Sequence, residues 1–242
     1  MKGHTTDEVA CTKLAWSTNP FFRADLEVKT STVRYWQGEK MGQFVGQSGL
    51  FTKTDIPKGE WVGFYAGIPW PKREWEELPR AEQDRLARFA AAAETKQSWV
   101  MMTPPYKDGT NEPDFTQFPL SAMNEPDKEQ TANVFALASQ LQLDFPAEDG
   151  DYEEPHEFLV ISMFVCRDVQ AGEELLWHYG DKYAGMRAVN GGYTPGAACP
   201  APPKTEHDLY SDQALLRATN LAQVIPRIDF VRKMLYDVED SL

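Results

Sequence analysis

The sequence predicts an α+β fold that is rich in β-strands and ends in helices. Short runs of β-branched and aromatic residues, bounded by Pro and Gly, recur between residues 46 and 183, as in the strands of small sheets. Two longer stretches, residues 71–97 and 205–242, have the composition or the apolar spacing of helices. The length of 242 residues fits one domain with flanking segments.

The first predicted strands lie in the N-terminal part of the chain. Alternation and β-branched residues predict strands at Leu26–Lys29 and Thr32–Trp36. Leu50–Thr54 and Trp61–Tyr65 predict a strand pair with a turn at Pro57-Lys58-Gly59 between them. Pro fixes φ in such a turn, and Gly permits φ values that other residues avoid.

Two stretches predict helix. Residues 71–97 form two pieces interrupted at Pro79, and the second piece, Ala81–Lys96, is rich in Ala and poor in β-branched residues. Residues 205–242 have apolar residues three to four positions apart on both sides of Pro226, which predicts a helical cap on the domain. One apolar face is predicted for its first half, formed by Leu209, Leu215, Leu216, Leu221 and Ile225.

The later part of the centre returns to strands and loops. Three further apolar runs predict strands, at Ser98–Thr103, Thr131–Ala138 and Glu157–Cys166. The acidic segment Glu148–Glu154 lacks the ligand spacing of an EF-hand and predicts a solvated turn. Residues 184–204, which are rich in Gly and Pro, predict a linker or a draped loop.

The charge balance bears on the class of partner. The chain has 24 Lys and Arg against 37 Asp and Glu, a formal net charge of −13. A protein that binds nucleic-acid phosphates normally presents a basic surface, so no direct nucleic-acid partner is predicted. An acidic field attracts basic peptides instead. The longest apolar run, Phe158–Cys166, is shorter than the ~18 residues of a membrane span, so no membrane partner is predicted.

Several common chemistries lack their sequence motifs. Cys11, Cys166 and Cys199 lie far apart, which predicts free thiols in a reducing compartment and an intracellular protein, nuclear or cytoplasmic. The chain has no Cys-x-x-Cys pair and its 4 histidines are scattered, so no metal site is predicted. Gly-rich phosphate loops and the Gly-x-Ser-x-Gly turn of hydrolases are missing as well.

Three segments carry more specific patterns. The first has a Gly-rich turn, an Asp-Ile-x-x-Gly turn and a strand that ends in Tyr-x-Gly: Gly46-Gln47-Ser48-Gly49-Leu50-Phe51, Asp55-Ile56-Pro57-Lys58-Gly59 and Val62-Gly63-Phe64-Tyr65-Ala66-Gly67. The second has two asparagines: Met123-Asn124-Glu125-Pro126 and Ala132-Asn133-Val134-Phe135. The third is the longest: Arg167-Asp168-Val169-Gln170-Ala171-Gly172-Glu173-Glu174-Leu175-Leu176-Trp177-His178-Tyr179-Gly180. Gly and other small residues in the first segment allow a backbone to approach a ligand closely.

Taken in order, these segments resemble the SET domain family, the protein-lysine methyltransferases that use S-adenosyl-L-methionine, and the closing motif is similar to the PR-type branch. The resemblance covers residues 46–183 and implies several short sheets around a threaded, pseudoknot-like C-terminal segment. The implied organisation is an N-terminal flank (1–45), the SET domain (46–183) with a helical insertion at about 71–97, a linker (184–204) and a helical segment (205–242).

The resemblance implies roles for individual residues. Tyr179 corresponds to the active-site tyrosine and Tyr65 is its expected partner in catalysis. The expected cofactor-binding residues are Ser48, Gly49, Leu50, Asn124 and Glu125, and the expected walls of a lysine channel are Phe135 and Trp177. The chain has Gln47 where the family has its first Gly, and Glu125 where it has His.

The function implied by the resemblance is transfer of a methyl group to a lysine of a basic protein or peptide, with a histone as the expected acceptor. Two alternatives stay open. The altered asparagine segment and Gln47 favour a SET-like interaction module with weak or no catalysis. A lysine methyltransferase that acts on a non-histone protein fits the same motifs.

Overall fold

The computed structural model describes residues 21–37, 40–42, 47–94, 99–107, 110, 112–143, 156–183, 187, 193–200, 202–203, 206–224 and 236–237. Its strands are β1 (Leu26–Thr30), β2 (Tyr35–Gln37), β3 (Lys40–Gly42), β4 (Ser48–Thr52), β5 (Trp61–Phe64), β6 (Ile68–Pro71), β7 (Ala91–Glu94), β8 (Trp99–Thr103), β9 (Val134–Leu143), β10 (His156–Val165), β11 (Glu174–Leu175) and β12 (Tyr236–Asp237). Its helices are α1 (Lys72–Glu77), α2 (Arg80–Leu86) and α3 (His207–Val224), with 3₁₀ turns at Ala87–Phe89, Pro119–Ala122 and Asp181–Tyr183.

The described strands form small antiparallel sheets. One sheet has the order β1-β4-β11, another has β6-β8-β7, and β2 pairs with β3. The sheet at the centre is built on β10, which pairs with β5, β9 and β12. Several short sheets with few helices are what the sequence predicts, and the α+β, β-rich architecture is confirmed.

Residues Glu174–Trp177, called the threaded segment below, join these sheets. On one side Leu175 lies opposite Leu50 of β4. On the other side, parallel bridges connect Leu176 to Asn124 and Trp177 to Val134. The C-terminal part of the domain therefore passes alongside two chain segments that are distant in sequence, which is the crossing that the resemblance implies.

The side chain of Asn133 fixes this crossing. It is buried, its Nδ2 donates to the Glu174 carbonyl at 2.8 Å, and its Oδ1 accepts from the Leu176 N–H at 2.7 Å. One amide thus replaces two backbone hydrogen bonds where the strands do not pair regularly, because its donor and acceptor match both groups of the threaded segment.

Helix α3 packs on the central sheet through a face that differs from the predicted one. Leu209, Leu215 and Leu216 are exposed, so the predicted apolar face is wrong for them. The buried face consists of Tyr210, Ala214 and Ala218, spaced four residues apart. The two alanines let the helix approach the sheet closely, and the Tyr210 ring stands edge-on to Phe135 and Phe164, at 5.2 Å and 5.0 Å. Leu221 and Ile225 are not described at side-chain level.

Three other sequence predictions are wrong in part. The helix predicted over Ala81–Lys96 ends earlier, and Ala91–Glu94 form strand β7 because they pair with β8. Tertiary pairing overrides the helix propensity of alanine there. The predicted strand pair separates into β4 and β5, which lie in different sheets. Residues 236 and 237 form a strand against β10 rather than helix. The Glu148–Glu154 turn lies outside the described residues.

Cys166 and Cys199 form a disulfide, so the prediction of free thiols is wrong for these two. Although the two cysteines are 33 residues apart in the sequence, their Cα atoms are only 6.2 Å apart. Tyr193–Cys199, called the strap below, lies along the loop between the two asparagines: the Gly196 N–H donates to the Pro126 carbonyl and the Ala132 N–H to the Ala197 carbonyl, both at 2.8 Å.

Among the described residues, no helix is long and apolar enough to cross a membrane.

Candidate active site

A cleft of about 290 Å³ opens where the three motif segments meet. Ser48 comes from the first segment, Asn124 from the second and Tyr179 from the third. The helical insertion adds Arg88 and the strap adds Tyr193. The fold therefore brings to one cavity residues that the chain separates by long stretches.

Asn124 cross-links the walls of this cleft. Its Nδ2 donates to the Ser48 carbonyl at 2.8 Å and to Glu174 Oε1 at 3.1 Å, while its Oδ1 accepts from the Gln47 side chain. Its backbone carbonyl accepts from the Trp177 N–H at 2.9 Å. The side chain is buried, and it holds β4 and the threaded segment in one arrangement.

Position 49 requires glycine, because the Glu174 carboxylate occupies the space where a side chain would lie. A Cβ at this position would overlap with Glu174 Oε1 and would lie 3.1 Å from the Ser31 Cα. Glu174 is buried and accepts from the Ser31 hydroxyl at 2.6 Å, and from the Thr32 N–H and hydroxyl at 2.7 and 2.6 Å. Close approach explains this glycine, as predicted, but the group that approaches it in the structure belongs to the protein.

Tyr179 stands in a row of aromatic rings. Its ring centroid lies 5.2 Å from that of Trp177 and 4.9 Å from that of Tyr183, and the Trp177 ring lies 5.9 Å from Tyr65. The Tyr179 hydroxyl donates to the Met123 carbonyl at 2.5 Å. Tyr179 packs edge to face with Trp177 and with Tyr183, and the Tyr65 ring is tilted by 52° against that of Trp177.

Burial keeps two phenols of this row, those of Tyr65 and Tyr183, neutral. Tyr65 is buried and its hydroxyl donates to the Phe89 carbonyl, and desolvation raises the pKa of Tyr65 far above its usual value. Desolvation and the neighbouring Glu125 carboxylate raise the pKa of Tyr183 to about 12. These hydroxyls therefore act as hydrogen-bond donors rather than as bases at neutral pH.

Glu125 lies behind Tyr179 and is fully buried. Its Oε2 accepts from Arg187 Nε at 2.9 Å and from the Tyr193 hydroxyl at 2.6 Å. Its Oε1 accepts from the Tyr179 N–H at 3.0 Å and from Arg187 Nη2. The Arg187 guanidinium is raised in pKa by this carboxylate and stays charged, so the pair is ionic.

The other predicted site residues lie at different distances from the cleft. Trp177 and Tyr65 adjoin it through the aromatic row, whereas Leu50 is buried in the core opposite Leu175. Phe135 is not among the cleft residues. Its ring stacks on Phe164 at 5.7 Å and meets Tyr210 of α3.

Several cleft residues are missed by sequence reasoning. Arg88 and Glu112, both exposed, bring opposite charges to the cleft, and Phe89 and Phe115 bring rings. Arg88 and Phe89 come from the helical insertion, and Glu112 and Phe115 come from the loop that follows β8; no motif marks any of them. Tyr183 follows Tyr179 by four residues across a turn at Gly180, and no sequence motif marks it.

Comparisons with known proteins relate the chain to a family. Residues 47–180, more than half of the chain, match the model of the SET domain family. One similar solved structure comes from Plasmodium falciparum and is described as a candidate histone methyltransferase. It is 13% identical, the match covers 64% of this chain and 96% of that one, and the TM-score is 0.33. No curated protein matches the chain.

Proposed function

The chain belongs to the SET domain family, and on that premise we propose that it transfers a methyl group from S-adenosyl-L-methionine to a lysine side chain of a basic protein, with a histone as the expected acceptor. SET domain proteins are typically protein-lysine methyltransferases that use this cofactor. One observation carries the proposal: Ser48, Asn124 and Tyr179, each from a different motif segment, line one cleft.

The residues of the cleft fit the proposed cofactor. Its volume of about 290 Å³ is close to the lower end of the range for small-molecule pockets, ~300–1,000 Å³. The molecule has a carboxylate, an ammonium and a sulfonium, and the cleft offers Arg88, Glu112 and aromatic faces to match them. Ser48 and Asn124 would hold it from the β4 side, and Arg88 and Glu112 would bind its charged groups.

When bound, S-adenosyl-L-methionine supplies a methyl group that an uncharged amine can accept. The task of the protein is to hold the amine in line with that group, and positioning alone can supply much of the rate. The Tyr179 hydroxyl is fixed by the Met123 carbonyl and its ring by Trp177 and Tyr183. Tyr179 can therefore define one side of the amine's approach without rearranging.

The aromatic row also bears on the protonation of the lysine. A free lysine has a pKa near ~10.4 and is charged at neutral pH. Burial against Tyr179, Trp177 and Tyr65 removes water from the ammonium and lowers its pKa, because desolvation disfavours the charged form. With the phenols neutral, the proton leaves to solvent, and no side-chain base is needed for this role.

The experiment incubates the protein with methyl-labelled S-adenosyl-L-methionine and a panel of histones and basic non-histone proteins. We expect label on lysine, and a loss of about 100-fold in the Tyr179→Phe variant, as for a misplaced reacting group. Tyr210→Phe is the matched control, because it removes the hydroxyl of a buried tyrosine of α3 that is not among the cleft residues.

Calorimetry with the demethylated product of the cofactor separates the alternatives. Product binding without transfer to any protein in the panel would favour the interaction module. Label on non-histone proteins alone would keep the reaction and replace the acceptor. Absence of product binding together with absence of transfer would overturn the proposal.

A further inference from the structure

Resting on the proposed function, we propose that Glu125 is a positioning residue for Tyr179, and that Arg187 supports it by binding both the Glu125 carboxylate and the Gly180 carbonyl. Glu125 stands where the family has His, and its carboxylate is occupied by this chain's own groups. The role therefore concerns the tyrosine rather than a contact with the cofactor.

The first step is the way one short segment holds Tyr179. Three consecutive residues, 123 to 125, each accept a hydrogen bond from Tyr179 or from Trp177. The Met123 carbonyl accepts from the Tyr179 hydroxyl at 2.5 Å, the Asn124 carbonyl from the Trp177 N–H at 2.9 Å, and Glu125 Oε1 from the Tyr179 N–H at 3.0 Å. Both ends of the tyrosine, its backbone and its hydroxyl, are fixed from residues 123 and 125.

The second step is the arginine fork. Arg187 donates to both oxygens of Glu125, and its Nη2 also donates to the Gly180 carbonyl at 3.0 Å. In this ion pair, Glu125 accepts a hydrogen bond from the Tyr179 N–H, and Arg187 donates one to the Gly180 carbonyl. Gly180 has a φ of +84°, a conformation that favours glycine, so the chain turns sharply here. A lysine has no planar fork and cannot make this set of bonds.

The third step is the energetic balance of the pair. Glu125 is fully buried, and the Arg187 side chain is 9% exposed. A buried ion pair is weak evidence for stability, since a well-packed apolar pair often serves as well or better. What the pair does provide is orientation: a fixed acceptor for the Tyr179 N–H and a fixed donor to the Gly180 carbonyl. Tyr193, which lines the cleft, donates to the same carboxylate and connects the strap to it.

The kinetic test uses Glu125→Gln and Arg187→Lys, each made in the wild type and in the Tyr179→Phe background. We expect either substitution to lower kcat by about 10- to 100-fold with a nearly unchanged KM for the cofactor, as a misplaced group does. In the Tyr179→Phe background we expect a further loss of less than about 2-fold, because residues that act as a unit are not additive.

Leu141→Ala is the control for general destabilisation. Leu141 is buried in the cluster under α3 and is not among the cleft residues, and its truncation should destabilise the fold by leaving a cavity there. We expect its kcat to stay at the wild-type value at temperatures where it is folded. A loss of kcat in this variant equal to that of Glu125→Gln would overturn the proposal, as would full additivity with Tyr179→Phe.

A second readout needs no methyl transfer. In protein labelled with 3-fluorotyrosine, the ¹⁹F resonance of Tyr179 is assigned by its disappearance in Tyr179→Phe. We expect Glu125→Gln and Arg187→Lys to shift or broaden this line, and Leu141→Ala to leave it unchanged. If the wild type methylates nothing but the line responds, the proposed function fails and the positioning role stands. A line that responds to neither substitution overturns the positioning role.

Discussion

Two buried carboxylates lie on opposite sides of the candidate site and are held in different ways. Glu174, at the start of the threaded segment, accepts hydrogen bonds from Ser31, Thr32 and Asn124, and among the described residues these donors are all neutral. Glu125, behind Tyr179, is held by the charged Arg187 and by Tyr193. The first set of partners includes the N-terminal flank, and the second comes from the segment after the family match.

This difference shows that the SET domain is completed from both flanks, with different chemistry on each side. Hydroxyl groups can turn and accept a hydrogen bond where they had donated one, whereas a guanidinium can only donate and cannot lose its charge. The Glu174 side should therefore tolerate loss of the negative charge better than the Glu125 side.

The largest expected effect tests this contrast directly. Glu125→Gln leaves the Arg187 charge buried without its partner, and we expect a loss of about 3–5 kcal/mol in the free energy of unfolding. Glu174→Gln keeps its shape beside rotatable hydroxyls, and we expect a loss of about 1 kcal/mol. Urea unfolding at neutral pH measures both. Equal losses in the two variants would remove the distinction between the two sides.

The second effect concerns the strap on the Glu125 side. Cys199→Ser breaks the bond to Cys166, and we expect it to lower the unfolding free energy by about 2–4 kcal/mol, because the open chain gains conformational freedom when unfolded. Cys11→Ser, which leaves both bonded cysteines in the sequence, is the control. Urea unfolding with and without a reductant should show that reduction reproduces Cys199→Ser; a wild type insensitive to reductant would contradict this.

The third effect concerns the Glu174 side. Gly49→Ala forces the carboxylate away from its donors, and we expect a loss of about 1–3 kcal/mol, as in other overpacked sites. In a Glu174→Ala background the obstacle is gone, so the same substitution should cost much less. A thermodynamic cycle of the four proteins measures the coupling, and additive losses would mean that the close approach is not the cause.

The smallest effect shows what burial contributes to such pairs. Asp25 pairs with Arg23 at 2.7 Å, but both side chains are 23% exposed. The Arg23 hydrogen bonds hold the pKa of Asp25 below its usual value, so the stabilisation is present above the unfolded pKa and is lost as the pH falls through the folded pKa. We expect Asp25→Asn to cost less than about 1 kcal/mol at pH 7.

Urea unfolding of the wild type and Asp25→Asn across acidic pH checks the sign. The difference between them should shrink as the pH falls below about 3.9, the usual value for Asp. A difference that grows on acidification would contradict the direction of the shift. A loss at neutral pH as large as that of Glu125→Gln would contradict the role of burial.

The parts of the fold that follow local rules could be predicted from the sequence. Alternating residues predict β1, apolar runs predict β8 and β10, and the family resemblance implies the crossing of the threaded segment. The buried face of α3 could not be predicted, because Ala214 and Ala218 have little hydrophobic signal and matter through the close contact they permit. The strand at Ala91–Glu94 depends on pairing with β8, which helix propensity does not register.

The candidate site divides in the same way. Ser48, Asn124 and Tyr179 sit in recognisable motifs, and the structure brings them to one cleft. Arg187 and Tyr193 lie in a segment rich in Gly, and only the fold shows that they reach Glu125. The Cys166–Cys199 bond is hidden from the sequence for the same reason, since separation along the chain says nothing about proximity in space.

The threaded segment also has a consequence for the order of events in folding. β11 pairs with β4, and Asn133 binds residues on either side of Leu175, so these contacts join parts of the chain far apart in sequence. Closing long loops is entropically costly and slows folding. We expect insertion of Glu174–Trp177 to be the slow step. Tyr179, which lines the cleft, follows the threaded segment closely in the chain. A folding intermediate in which the threaded segment is not yet in place therefore has no site to bind a ligand.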